Sequence, residues 1–321
     1  MLNLFRTNQI LTAFLFVPYL LLLQAGYFLG RTPLESTAPT GGVLSNWARA
    51  ADGPMGFVLT TTLLLILAVL FSQLLNNHRL SRQTSLFPGV VFLLLTGVLP
   101  IFGSLHPVLP AAICMTILLG ESYLLERKSG IADRIFNMGF WIGVAALFYP
   151  SSLLLLIFVV AALNIFSRFS ATSLLQVLAG AFVPLFLTWV WFFYQGKAAE
   201  FWQLQFAEGF GFLSFATPAD RLVYIRLGLF AVLLLLIVLS YRNYFVKKII
   251  VVQKKVSVLF ALLLVSLLIG IFQNNLSTAH LTLVTLPISA FVGMTLLNLP
   301  VKWSETWHLL ALVGVVLLQF L

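Results

Sequence analysis

The chain has 321 residues, of which 61% are hydrophobic and only 8% are Asp, Glu, Lys or Arg. A mean hydropathy of +1.06 leaves too little polar surface to cover a water-soluble domain of this length, which excludes a soluble enzyme or binding module. The net charge of +9 comes from bases placed between apolar runs, so it is not the basic face of a nucleic-acid binder.

About 11 runs are long and apolar enough to cross a hydrocarbon core of roughly 30 Å. The first two cover 9–30 and 55–76, the next two 87–103 and 107–124. Two short runs, 136–149 and 151–167, are hinged at Tyr149-Pro150. The seventh and eighth are 174–196 and 221–241, and the last three are 256–273, 281–298 and 307–321. Arg6 ahead of the first run resembles the start of a secretory signal. The run is too long for one and no small-residue cleavage site follows, so an uncleaved helix is expected. Cys114 is the one cysteine, so no disulfide framework or thiolate metal site is expected.

Charge sets the predicted orientation. With the N-terminus inside, the cytoplasmic segments collect Arg6, Arg79, Arg82, Arg127, Lys128, Arg134, Arg168, Arg242, Lys247, Lys248, Lys254, Lys255 and Lys302, which is 13 of the 18 bases. Arg31, Arg49, Lys197, Arg221 and Arg226 fall on the other side. Cytoplasmic retention of Lys and Arg then gives N-in and C-out. The predicted fold class is all-α, a polytopic transmembrane bundle of about 11 spans in the cell inner membrane. Residues 242–255 form a basic, partly apolar segment suited to lying on an anionic leaflet. Trp189, Trp191, Tyr194, Trp303 and Trp307 stand near span ends as interfacial anchors. Gly26-x-x-x-Gly30 and Gly139-x-x-x-Gly143 have the spacing that lets helix backbones approach closely.

Ionisable groups on the external side concentrate in two long connections. The first, 31–54, holds Arg31, Glu35, Arg49 and Asp52; the second, 197–220, holds Lys197, Glu200, Glu208 and Asp220. Glu200 to Phe206 suits an amphipathic helix in the interface plane, ahead of a Gly209-Phe210-Gly211 break. Arg226 lies one to two turns into the eighth run, about 7 Å below Arg221 at 1.5 Å per residue. There it snorkels to the headgroups, pairs structurally, or faces the bundle and offers a fork to a phosphate. Glu121 is expected to pair with a cytoplasmic base or reach water. His78 and His308 belong to one side and His106 and His280 to the other, so on this topology a four-histidine metal centre is ruled out by about 30 Å of hydrocarbon and only an external His106–His280 pair is left open. Phosphate-cradling loops, nucleophile elbows and zinc signatures are missing from the sequence. No metal or cofactor is expected.

The stretch from Ile135 through Phe136, Asn137, Met138, Gly139, Phe140, Trp141, Ile142, Gly143, Val144, Ala145, Ala146, Leu147, Phe148 and Tyr149 to Pro150 resembles a run in a family of polytopic bacterial inner-membrane proteins of unassigned function. More faintly, it is similar to the fifth and sixth spans of GT-C type glycosyltransferases. These move a sugar from a polyprenyl phosphate to an acceptor at the outer face, and their two main external loops also follow the first and seventh spans. This resemblance implies a GT-C-like module of about eight spans over 1–241, followed by C-terminal spans over 242–321 in one integral membrane domain. It implies Glu35 as general base toward an acceptor hydroxyl, with Asp52 as the weaker candidate. Arg221 and Arg226 would hold the lipid phosphate, and Arg31, Arg49, His106, Tyr149 and Tyr224 complete the substrate-binding set. GT-C enzymes carry a longer first loop with more acidic residues, so the sequence departs from the family where the chemistry would sit.

Three functional readings follow. One is a GT-C-like transferase using a polyprenyl-phosphate sugar. The second is a non-catalytic assembly or export partner that keeps the bundle. The third is a lipid or solute transporter, for which Gln24, Gln73, Asn164 and Gln176 are the few polar groups within spans. Expected partners are membrane lipids, a polyprenyl-phosphate sugar and other membrane proteins, with no nucleic acid.

Overall fold

The computed structural model describes residues 14–28, 42–45, 53–81, 84–99, 105–127, 130–207, 221–246, 248–272 and 278–319. Its helices, in chain order, are α1 (Phe16–Leu23), α2 (Ala25–Phe28), α3 (Pro54–Asn77), α4 (Phe87–Gly97), α5 (Val108–Tyr123), α6 (Ile131–Phe148), α7 (Leu155–Ile165), α8 (Ala171–Tyr194), α9 (Ala198–Trp202), α10 (Arg221–Leu239), α11 (Ile250–Ile271), α12 (Leu281–Asn298) and α13 (Val301–Leu318). Among the described residues, eight helices are long and apolar enough to cross a membrane; α4 and the Pro150–Ile165 segment are shorter apolar helices. This is the helical bundle of an integral membrane protein.

Local sequence sets the helix ends. Gly53, at φ 72°, and Pro54 open α3, because proline fits the first helical position, where no amide donor is needed. Gly130 adopts the left-handed conformation ahead of α6. Ser170 caps α8 by accepting from the Ser173 amide at 3.0 Å, which satisfies one of the orphan donors of the first turn.

The core lies around α4 and α12. Every residue of α4 is buried, and the helix packs against α1, α3, α12 and α13. Helix α12 also touches α5, α10 and α11. The flanking helices keep large apolar side chains on the outside, such as Leu175, Phe182 and Leu187 of α8, Leu235 and Leu239 of α10, and Leu309 and Leu310 of α13. In hydrocarbon these faces need no protein cover.

Contacts at the helix termini show an up-and-down course. Glu126 meets Lys255, Lys248 meets the Leu80 carbonyl, and Tyr244 meets Thr295 at one end. Tyr149 meets His280, Ser151 meets the Phe272 carbonyl, and Gln319 meets Leu23, Gly26 and Gly97 at the other. Described bases concentrate at the first of these ends: Arg79, Arg127, Arg134, Arg168, Arg242, Lys248, Lys254, Lys255 and Lys302. We call it the basic end.

Helices α6 and α8 run parallel with their backbones in contact. A Cβ on Gly139 would lie 2.0 Å from the Val177 carbonyl oxygen, and one on Gly180 would lie 2.2 Å from that of Phe136. At Gly143 a Cβ would meet the Ala181 oxygen at 2.4 Å. The Gly139-x-x-x-Gly143 spacing therefore marks a true close approach. Of the other glycine pair, Gly26 is buried and donates its amide to Gln319 at 3.0 Å, while Gly30 lies outside the described residues.

Several boundaries differ from the sequence reading. Helix α11 starts at Ile250, ahead of the expected 256, and so includes Lys254 and Lys255. Lys255 is only 5% exposed; its ammonium reaches Glu126 at 3.0 Å, and this pairing lets a base sit within the helix. Helix α13 starts directly after Pro300 and carries Lys302, Glu305 and His308 in its first turns. Helix α6 begins at Ile131, set by the Gly130 break.

Candidate functional site

The end opposite the bases is where the two long connections converge. Helix α6 stops at Phe148, where Tyr149 turns extended (φ −143°, ψ 93°) and Pro150 opens a short 3-10 turn. Proline has no amide hydrogen, so the Ala146 carbonyl loses the donor a continuing helix would provide. The next two carbonyls are left without helical partners as well.

Donors arrive from both connections. The Gly42 amide bonds the Phe148 carbonyl at 3.0 Å, and the Leu44 amide bonds the Leu147 carbonyl at 3.0 Å. Gln205, fully buried, donates from Nε2 to the Ala146 carbonyl at 2.7 Å. Its Oε1 accepts from the Val43 amide at 3.3 Å. Gln205 thus joins the first connection to the second across the end of α6. Gly42 is required for the fit, since a Cβ there would stand 2.4 Å from the Leu147 oxygen. Val43, Leu147 and Phe201 form a small apolar cluster beneath, packed by Leu185, Trp189, Phe192, Leu204 and Phe206.

The expected amphipathic helix is present in part. Helix α9 places Phe201 inward and Trp202 outward, and Gln203–Ala207 widens into a π-helical turn. That wider turn accompanies the inward placement of Gln205, whose role the sequence did not reveal. An amide amid Gln203, Leu204 and Phe206 reads as part of a polar face.

The predicted site residues are dispersed. Glu35, Asp52, Arg31 and Arg49 lie outside the described residues. Arg226 is 7% exposed and shares the buried stripe of α10 with Phe230 and Ile237, so the inward-facing alternative is the one observed. Arg221 and Tyr224 are exposed. At 100° per residue, Tyr224 projects from nearly the opposite face of α10 to Arg226. Tyr149 is fully buried and its hydroxyl lies 2.8 Å from His280 Nδ1. His106, at the entrance to α5, is 3% exposed and its Nδ1 makes no hydrogen bond. Burial pushes its pKa down to about 4, which keeps the ring neutral at physiological pH.

Several other polar groups are held in local contacts. Glu121 accepts from Arg134 at 2.9 Å, a base at the same end of the bundle. Gln24 donates to Thr61, and Asn164 donates back to the Val160 carbonyl within its own helix. His78 packs at 5.0 Å on the Tyr123 ring, and His308 lies 2.9 Å from the Tyr19 hydroxyl. Among the described residues, no three His, Cys, Asp or Glu side chains gather as metal ligands. The chain matches no family model, no curated protein and no solved structure.

Proposed function

We propose that this chain is a multi-pass protein of the cell inner membrane, seated with its basic end in the cytoplasm and working at the opposite end. The charge distribution supports the orientation through the preference of Lys and Arg for the cytoplasmic side. The observation that carries the working end is the Gln205 clamp, which ties residues 42–45 to the second connection at the end of α6. Glu35 and Asp52 lie seven residues to either side of that anchored segment. Arg226 faces the bundle within the first two turns of α10, the helix that follows the second connection.

On this reading the protein is a GT-C-like transferase that accepts a sugar from a polyprenyl-phosphate donor at the outer face. Glu35 acts as general base toward the acceptor hydroxyl, with Asp52 as its alternate, because a base needs only hydrogen-bond reach and a suitable pKa. Arg226 binds the lipid phosphate through its planar fork. Glu35→Gln is expected to abolish sugar transfer from a radiolabelled polyprenyl-phosphate sugar in membrane vesicles, with insertion and folding retained. Wild-type transfer in that variant refutes the assignment. Reporter fusions at 40 and 210 should both report the external compartment; a split result removes the reading at its base.

A second reading, a non-catalytic partner in assembly or export, draws on the outer surface of α8. Phe182, Phe186 and Phe193 are exposed along it, and with the half-buried Trp189 between them they stack at centroid distances of 5.2, 6.1 and 5.5 Å. On that reading Glu35→Gln behaves as wild type, whereas Phe182→Ala with Phe186→Ala abolishes function.

A further inference from the structure

A groove of about 270 Å³ lies between α3 and α5 near the basic end. Its walls are Leu70, Leu74, Ile117 and Leu124, and His78 and Glu121 stand among the lining residues. Leu70 is 38% exposed, so the groove is open along the side of two helices that have membrane-crossing length. Gly120 keeps it free, because it contributes no side chain to the floor.

Cations stand at the mouth. Arg79 follows His78 directly, at the left-handed φ of 52°, and is exposed. Arg127 follows the short turn Leu124–Glu126 and is exposed as well. The charges of Lys255, Glu126 and Arg127 all act on His78, which places the three around the same opening. Lys255 is neutralised by Glu126, and Arg134 is engaged with Glu121. Among the described residues neither Arg79 nor Arg127 makes an ion pair.

An apolar channel facing hydrocarbon and ending under two uncompensated guanidinium groups matches one kind of molecule. We propose that the groove binds a phospholipid with an anionic headgroup, one acyl chain lying along Leu70, Leu74 and Ile117 and the phosphate held by Arg79 and Arg127. Arginine suits the task because its fork pairs phosphate oxygens two at a time. Basic pockets between transmembrane helices select anionic headgroups in this way. The inference is independent of the transferase reading and concerns the opposite end of the bundle.

The test is native mass spectrometry of the full chain in mild detergent, with dioleoyl phosphatidylglycerol or dioleoyl phosphatidylcholine added at equal concentration. Phosphatidylglycerol should be retained preferentially. Arg79→Asn with Arg127→Gln should remove that preference, at about fivefold in retention for each arginine; asparagine is chosen at 79 because it tolerates the left-handed backbone. Gly120→Leu, which fills the groove, should lower retention of both lipids. Should Gly120→Leu fail to fold, the surface pair alone decides. Wild-type retention in the arginine double variant, equal retention of the two lipids by the wild type, or binding of chain-free glycerophosphoglycerol as tight as the intact lipid would each overturn the proposal.

Discussion

The two ends of the bundle are fastened by different chemistry. At the basic end, charges tie the helices alongside the neutral Tyr244–Thr295 contact: Glu121 to Arg134, Glu126 to Lys255, and the Lys248 ammonium to the Leu80 carbonyl at 3.0 Å. At the other end the ties are neutral. Gln205 bridges two connections to α6, Gln319 bridges α1, α4 and α13, and Tyr149 meets His280. Charged ties weaken with salt and depend on protonation, whereas buried amide ties depend mainly on shape and on exclusion of water. The electrostatic end is therefore adjustable by its surroundings. The amide ties of the other end are not.

Four experiments break or sharpen that contrast, in decreasing order of effect. Gln205→Leu leaves the Val43 amide and the Ala146 carbonyl unmet, at about 1–3 kcal/mol for each buried group. Thermal unfolding in detergent should fall accordingly, with little change between low and high salt, and the first connection should become sensitive to protease. Lys255→Met strands the Glu126 carboxylate. Glu126 retains some exposure, so the expected loss is about 2 kcal/mol, below that of a fully buried pair. Restoring stability with Glu126→Gln in the same chain would confirm that the charge, and not packing, was responsible.

Acid gives the third. The His106 pKa is held down to about 4 by burial, and that of His78 to about 4 by burial and then by Lys255 and Arg127 against the opposing pull of Glu126. Each ring is thus neutral in the folded chain over a range where the unfolded chain binds a proton. Stability is complete above about pH 6.5 and falls as pH drops toward 4. At pH 5.5 His106 alone accounts for about 1 kcal/mol, and His106→Phe should flatten the pH profile of unfolding in that window. The smallest effect belongs to Glu121→Gln, whose partner Arg134 is about one-third exposed. A loss under about 1 kcal/mol that vanishes in high salt is expected.

What the sequence made legible follows from its strongest signals. Each of the eleven apolar runs has a helix in its place, because uninterrupted hydrocarbon leaves the backbone no other way to satisfy its amides in lipid. Gly139 and Gly143, whose spacing has a direct geometric meaning, announced a close backbone approach, while α8 as the partner came from the structure. Arg226 could be placed on its helix, but its facing needed the bundle. Lys255 was expected just ahead of a helix and lies within one, since the sequence does not show that Glu126, 129 residues away, would neutralise it. The Gln205 clamp joins residues 162 apart, and no periodicity encodes a pairing of that range. The proposed catalytic carboxylates, Glu35 and Asp52, lie outside the described residues, so the candidate chemistry rests on sequence while its scaffold rests on geometry.

The glycine contact between α6 and α8 has a mechanical consequence. With three glycines pressing backbone on backbone, α8 cannot slide or roll against α6 unless the two separate first. The pair therefore behaves as a single stiff strut running between opposite faces of the bundle. A push on the clamped segment at one extremity would be carried along that strut toward Arg168 and Ser170 at the other, with Pro184 inside α8 as the point where it can bend.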